Sequence, residues 1–197
     1  MSLTLDGIVS HIRDRTYMGG IERDNLRVKA TGEVFTPTQL VQETLNHLDS
    51  LLFVDSTKTF LDNSCGDGQF LGEVLIRKME NGSTFEQALS TTYGVDLMID
   101  NVDLCRERLL CGREDLRHIV EQNIYQADAL KFSYEFKPMS ATRLAREHKL
   151  RRRVQKAKQT ADKAKKEQEF KDRATKLFGL AVPTEKSKKP SVVTETI

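Results

Sequence analysis

The sequence predicts an α/β fold with parallel strands, and three observations predict it. Short apolar runs that end on or near an acid recur as "KTFLD" (58–62), "TTYGVD" (91–96) and "NIYQADAL" (123–130). Segments with helical spacing separate them. A glycine loop, "CGDGQFL" (65–71), follows the first run at once. Strands alternating with helices at this interval are joined as crossovers in a parallel sheet of Rossmann type.

Each element has its own local warrant. Residues 2–14 place Leu5, Ile8, Val9 and Ile12 on one face, which predicts a short amphipathic helix. In "FTPTQLVQETLNHL" (35–48), Thr36 is in position to cap a helix from 37 to about 49, with Pro37 at its first position and Gln39 completing a capping box. The glycine loop runs into "QFLGEVLIRKMEN" (69–81), helical through Phe70, Val74 and Leu75. A further helical stretch near 84–89 precedes the second strand, and residues 99–110 are helical with Val102, Arg106 and Leu109 in register. "KFSYEF" (131–136) alternates apolar residues and reads as an edge strand. From 143 onward only a thin seam of Leu150, Val154, Ala157, Ala161 and Ala164 is apolar, spaced by four and three, which predicts one long helix. The last residues, "VPTEKSKKPSVVTETI" (182–197), are polar with two prolines and read as a disordered tail. Four parts result: an N-terminal helical segment (1–27), an α/β domain (28–138), a basic helix (139–180) and the tail (181–197).

Charge divides the chain the same way. The net charge of +2 conceals residues 143–176, which carry 14 Lys/Arg against 5 Asp/Glu, while the 142 residues before 143 hold 14 basic and 22 acidic side chains. An acidic body with a basic arm implies a polyanionic partner for the arm, although a charge run is more commonly just a solvated face. No apolar run is long enough for a signal peptide or a membrane span, which predicts a cytoplasmic protein without a membrane partner. Cys65, Cys105 and Cys111 lack a C-x-x-C spacing and clustered histidines, so reduced thiols are expected, with neither a disulfide framework nor a metal site.

The acids and the glycine loop carry the chemistry. In an open parallel sheet, ligands sit beyond the carboxyl ends of the strands, so Asp62, Asp96 and Asp128 should line one crevice with the loop opening into it. A dinucleotide site wants G-x-G-x-x-G, but Leu71 stands where the third glycine belongs. A P-loop wants Gly-Lys-Ser/Thr, and Gln69-Phe70 stands there. A nucleoside with a positive centre and no phosphate fits better: acids meet its hydroxyls, amino group and ammonium, while loop N–H groups meet a carboxylate. S-adenosylmethionine has all of these groups.

With these residues in view, the chain resembles the N-terminal, cofactor-binding part of the N6-adenine DNA methyltransferases, particularly the modification subunits of type I restriction systems. "GEVFTP" (32–37), "DNSCGDGQFL" (62–71), "YGVD" (93–96) and "QADAL" (126–130) are similar to four of that family's motifs, in its order, over about residues 28–132. The resemblance implies the S-adenosylmethionine-dependent methyltransferase fold and S-adenosyl-L-methionine as cofactor. It puts Thr36 and Pro37 at the methionine end, and Asp62, Cys65, Gly66, Asp67 and Gly68 around the carboxylate and ammonium. Asp96 then takes the ribose, Asp128 the adenine amino group, and Leu130 or Phe132 packs on the base. Other readings stay open residue by residue: Thr36-Pro37 also starts a helix in any protein, Gly66 and Gly68 also make a plain turn, and Cys65 is a small filler as readily as a contact.

The resemblance stops after the third strand. The family's catalytic Asn/Asp/Ser-Pro-Pro-aromatic motif needs adjacent prolines, and the four here are Pro37, Pro138, Pro183 and Pro190. No catalytic residue is therefore assigned. The expectation is a shortened sheet whose first strand has an open edge and an uncovered apolar face, so that either the basic helix folds back over it or a partner polypeptide supplies the missing catalytic half. The helix has few large apolar residues, which favours the partner. DNA is the expected partner of the arm at 143–176. The rival expectations are a non-catalytic DNA- or partner-binding protein derived from a methyltransferase, interfering with restriction-modification, and a methyltransferase-like enzyme with a small-molecule substrate.

Overall fold

A computed structural model describes residues 4–14 and 36–178. "GEVF" (32–35) and the tail lie outside the described residues. The chain divides into two units, residues 1–151 and 152–197.

In the first unit, β1 (Phe60–Asp62), β2 (Thr92–Asp96) and β3 (Ile124–Gln126) form a parallel sheet in the order β1-β2-β3. Phe60 lies opposite Thr92, and Gly94 opposite Ile124. Both crossovers advance in one direction, so the right-handed rule puts their helices on the same face of the sheet. The β1–β2 connection holds α4 (Gln69–Glu80) and α5 (Phe85–Ser90); the β2–β3 connection holds α6 (Ile99–Leu110), a 3₁₀ turn (Glu114–Leu116) and α7 (Arg117–Asn123). α4 packs so closely that a Cβ on Gly94 would come within 2.8 Å of Leu71 Cδ1 and 2.9 Å of Cys65 Sγ. α5 starts on a capping box, in which Thr84 Oγ1 accepts from Gln87 N–H and the Gln87 amide oxygen accepts from Thr84 N–H.

Ahead of the sheet come α1 (Leu5–Arg13), α2 (Thr38–Asn46) and the single turn α3 (Leu51–Val54). Thr4 caps α1, and Ile8 and Ile12 are fully buried against α4. Gly72 of α4 permits this approach, because a Cβ there would lie 2.6 Å from Ile12 Cγ2. α2 begins one residue later than the capping pattern predicts. Pro37, at ψ 144°, is its N-cap and offers no side-chain acceptor, and the Gln39 amide donates to Glu43 instead. Shifting the start by one puts Leu40 at the position where a capping box needs Glu or Gln, so no box forms.

The "KFSYEF" segment is also different from expectation: it adds no strand. Its aromatics lie on the sheet's second face, with Phe136 4.7 Å from Tyr93 and Phe132 4.9 Å from Tyr125, ring centre to ring centre. Phe132 and Phe136 gain more from packing on Tyr93 and Tyr125 than from extending a ladder, while the Tyr134 ring meets that of Phe132. This cover does not extend to Leu61, which is half-exposed on β1. Among the described residues β1 pairs with β2 alone, and no described strand lies on its other edge.

The long helix, α8 (Ala141–Phe178), is 38 residues, as the polar sequence with its thin seam predicts. Its first turns, residues 141–151, belong to the sheet unit and are attached by charge. Glu147, 2% exposed, accepts from Arg106 at 2.8 and 3.1 Å, while Arg151 donates to Asp103 at 2.6 and 2.8 Å. Arg143 donates to Ile124 O at 3.0 Å and sits 3.2 Å over the Tyr125 ring. These contacts anchor the base of α8 at β3, the far edge from β1. In the second unit, the seam residues Ala157, Ala161 and Ala164 are exposed. No described helix is long and apolar enough to cross a membrane.

Candidate functional site

The strand ends set the geometry. Asp62 closes β1 opposite Gly94, two residues before Asp96; Asp96 closes β2 opposite Gln126, two residues before Asp128. Each acid is thus offset by two residues, roughly 6.6 Å of strand, from its neighbour's acid. An even offset keeps Asp62 and Asp96 on the same face of the sheet, the face that carries α4.

The glycine loop closes over the ends of β1 and β2. Cys65 N–H donates to Val95 O at 3.0 Å, and Gly68 N–H donates to Cys65 O at 2.8 Å. Gly66 (φ 53°) and Gly68 (φ 84°) both hold left-handed backbone, which costs glycine nothing. Gly68 is further restricted, because a Cβ would fall 2.7 Å from Cys105 Sγ. Around Gly66, by contrast, a Cβ would meet nothing within 4 Å among the described residues. Gly66 N–H donates to Asp96 Oδ2 at 3.0 Å, bridging 30 residues of sequence. Asp96 Oδ1 accepts from Met98 N–H at 2.8 Å and from the Asn101 amide at 3.3 Å.

Asp62 accepts from Ser64 N–H at 3.0 Å. Burial pushes its carboxyl above the usual carboxylate range; the Ser64 N–H pulls it down, and the charge of Asp96 adds to the rise. Two carboxylates therefore share one field beside a bend of N–H groups at the start of α4. Both Asp96 oxygens already accept from Gly66, Met98 and Asn101, and the first-turn N–H groups of α4 add partial positive charge beside the two acids.

The other sequence-predicted residues fall in different places. Asp128 lies two residues beyond the end of β3, because the strand stops at Gln126 rather than at the acid. Its carboxylate accepts from Leu130 N–H at 3.0 Å and pairs with Lys131 at 3.1 Å, and Leu130 is fully in solvent. Cys65 is buried beneath the loop with Cys105, and the hydrogen bond with that second thiol, together with burial, raises its pKa. Asp67 turns inward. It is 1% exposed and pairs with Arg108 at 3.3 Å, so its side chain holds the loop rather than facing free space. Thr36 and Pro37 precede α2, whose Thr38 hydroxyl accepts from the Gln69 amide at 2.7 Å and so ties the start of α2 to the start of α4.

Asn101 and Arg108 were not legible as site residues in the sequence. Asn101 sits five residues after Asp96, where a first-turn polar side chain can reach back to a strand-end carboxylate, and that spacing is the only signal it leaves. A cleft of about 440 Å³ lies elsewhere, between α1, α2 and α4 beside Glu73 and Arg77, and none of the sequence-predicted site residues lines it. Among the described residues no cluster of three or more His, Cys, Asp or Glu is placed to hold a metal ion. Comparison with protein-family models, with curated proteins and with solved structures returned no match.

Proposed function

We propose that this chain binds S-adenosylmethionine as the cofactor-binding half of an adenine-N6 DNA methyltransferase. The observation that carries the reading is the bond from Gly66 N–H to Asp96, with Asp62 alongside: two strand-end carboxylates gathered at a glycine bend where no described atom lies within 4 Å of a Cβ built on Gly66. In this reading Asp96 accepts the ribose hydroxyls, Asp62 faces the ammonium, and the N–H end of α4 meets the carboxylate. Asp128 and Leu130 serve the adenine ring from their exposed position beyond β3, and Thr36-Pro37 flank the methionine end. The bound cofactor supplies an electrophilic methyl group; this chain's residues bind and orient it. Residues that present adenine come from outside this stretch, since no adjacent prolines occur in it.

A partner polypeptide docks, in the same reading, on the edge of β1 away from β2, where Leu61 is half-exposed. DNA contacts the basic helix, whose Lys149, Arg152, Arg153, Lys156 and Lys158 are all exposed. Titration calorimetry with S-adenosylmethionine and its demethylated product tests the proposal. Binding by the wild type and its loss in Asp96→Ala support the reading; no heat from the wild type removes it. Radiolabel transfer to adenine-containing DNA only when a second polypeptide is added supports the division into halves, and transfer by this chain alone overturns it.

A further inference from the structure

We propose that Arg108 is a positioning residue that fastens the glycine loop to the end of α1, making the N-terminal helix part of the loop's scaffold. Arg108 lies on α6 and is 5% exposed. Its Nε and Nη2 both donate to Ile12 O, at 2.8 and 2.5 Å, in the last turn of α1, where a helix leaves its carbonyls unpaired and carries partial negative charge. Nη2 also donates to Gln69 Oε1 at 2.5 Å, and Nη1 lies 3.3 Å from Asp67 Oδ2. One planar fork therefore holds three segments: the end of α1, the glycine loop at Asp67, and the start of α4 at Gln69. A lysine ammonium cannot reproduce that spread of donors. Gln69 passes the connection on to Thr38 of α2.

The consequence is mechanical. Asp67 sits between Gly66 and Gly68, both of which hold left-handed backbone. Anchoring the side chain between them restricts both. Arg13 strengthens the same docking from α1, donating to both carboxylate oxygens of Glu73 on α4 at 2.9 and 3.0 Å. The inference depends on the cofactor reading only for its binding measurement.

Hydrogen exchange of the unliganded protein provides the test. Arg108→Met and Asp67→Asn should each accelerate exchange at the amides of Gly66 and Gly68 by about tenfold or more, the change expected when a charge-assisted bond holding a local structure is removed. Glu147→Gln, which perturbs the base of α8 on the other side of α6, should leave those two amides unchanged. S-adenosylhomocysteine, used as the binding probe, should bind about tenfold more weakly to both loop variants and normally to Glu147→Gln. Unaltered exchange in Asp67→Asn, or equal acceleration in Glu147→Gln, overturns the proposal. If Arg108→Met does not fold, Asp67→Asn decides the matter alone. If the wild type fails to bind the probe, the cofactor reading falls while the exchange comparison still decides the role of Arg108.

Discussion

Arg106 and Arg108 stand two residues apart on one helix, both buried, and they serve opposite sides of the molecule. Arg106 faces the base of α8, in a cluster with Glu147, Arg143, Arg151 and Asp103. Arg108 faces α1 and the glycine loop, and most of its donors go to neutral oxygens. The α8 contact is thus made mainly by ion pairs, with arginine bonds to Ile124 O beside them, and Arg106 Nε has no hydrogen-bond partner among the described residues. The α1 contact combines two fully buried isoleucines with an arginine fork and the Arg13–Glu73 pair, so packing takes a larger share there. An attachment built on ion pairs depends strongly on each member, because losing one strands its partner's charge. An attachment built on packing loses stability in proportion to the surface removed.

The largest effect is expected on the charged side. Glu147→Ala leaves Arg106 buried beside Arg143 without its carboxylate and should cost about 3–5 kcal/mol in urea unfolding. A cost no greater than that of a surface ion pair would show that the cluster is loose and that the contrast fails. Ile12→Ala on the packed side should cost somewhat less, about 2–4 kcal/mol, because the void beside Gly72 can only partly collapse. Denaturation of the two variants under one set of conditions gives the ranking directly.

Acid should separate the two attachments without any mutation. Burial pushes the Glu147 carboxyl up, but the hydrogen bond and charge of Arg106, with the charges of Arg143 and Arg151, outweigh it and hold the carboxyl below its ordinary value. A lowered folded-state pKa contributes stability above the unfolded value, and that contribution disappears as pH falls below about 4.5. Wild-type stability should therefore drop through this window, and Glu147→Gln should flatten the drop. A parallel decline in both proteins would assign the acid sensitivity to other groups.

Asp62 gives the smallest and opposite effect. Its raised folded-state pKa means that the ionised form costs stability near neutral pH, and the cost is relieved as pH falls through the raised value. Asp62→Asn should raise the thermal midpoint by roughly 1–2 °C at pH 7 and, under the proposed function, weaken S-adenosylmethionine binding. A lower midpoint would mean that the carboxylate is held by bonds stronger than its Ser64 contact.

The loop and its strands were legible because glycine and acid identities act locally. Gly66 and Gly68 announce a left-handed turn wherever they occur, and a strand that ends on Asp62 or Asp96 presents that acid at the sheet's carboxyl edge. Asp128 was less legible, since a third strand of three residues ends before its acid and nothing local distinguishes Gln126 from Asp128 as the stopping point. Buried charges were not legible at all. Lys78, fully buried, donates to Ser56 O, Lys58 O and Thr91 Oγ1, and its place on α4 looks in sequence like any solvated lysine.

By itself, then, the sequence determined the alternation of strand and helix, the position of the glycine bend, and the long polar helix, because each depends on the spacing of neighbouring residues. Tertiary structure alone decided which carboxylates meet at the bend, that Asp67 faces inward to Arg108, and that "KFSYEF" covers a sheet face instead of extending an edge. Those outcomes depend on partners 30 or more residues away, or on a competition between packing and pairing, and no local pattern encodes either.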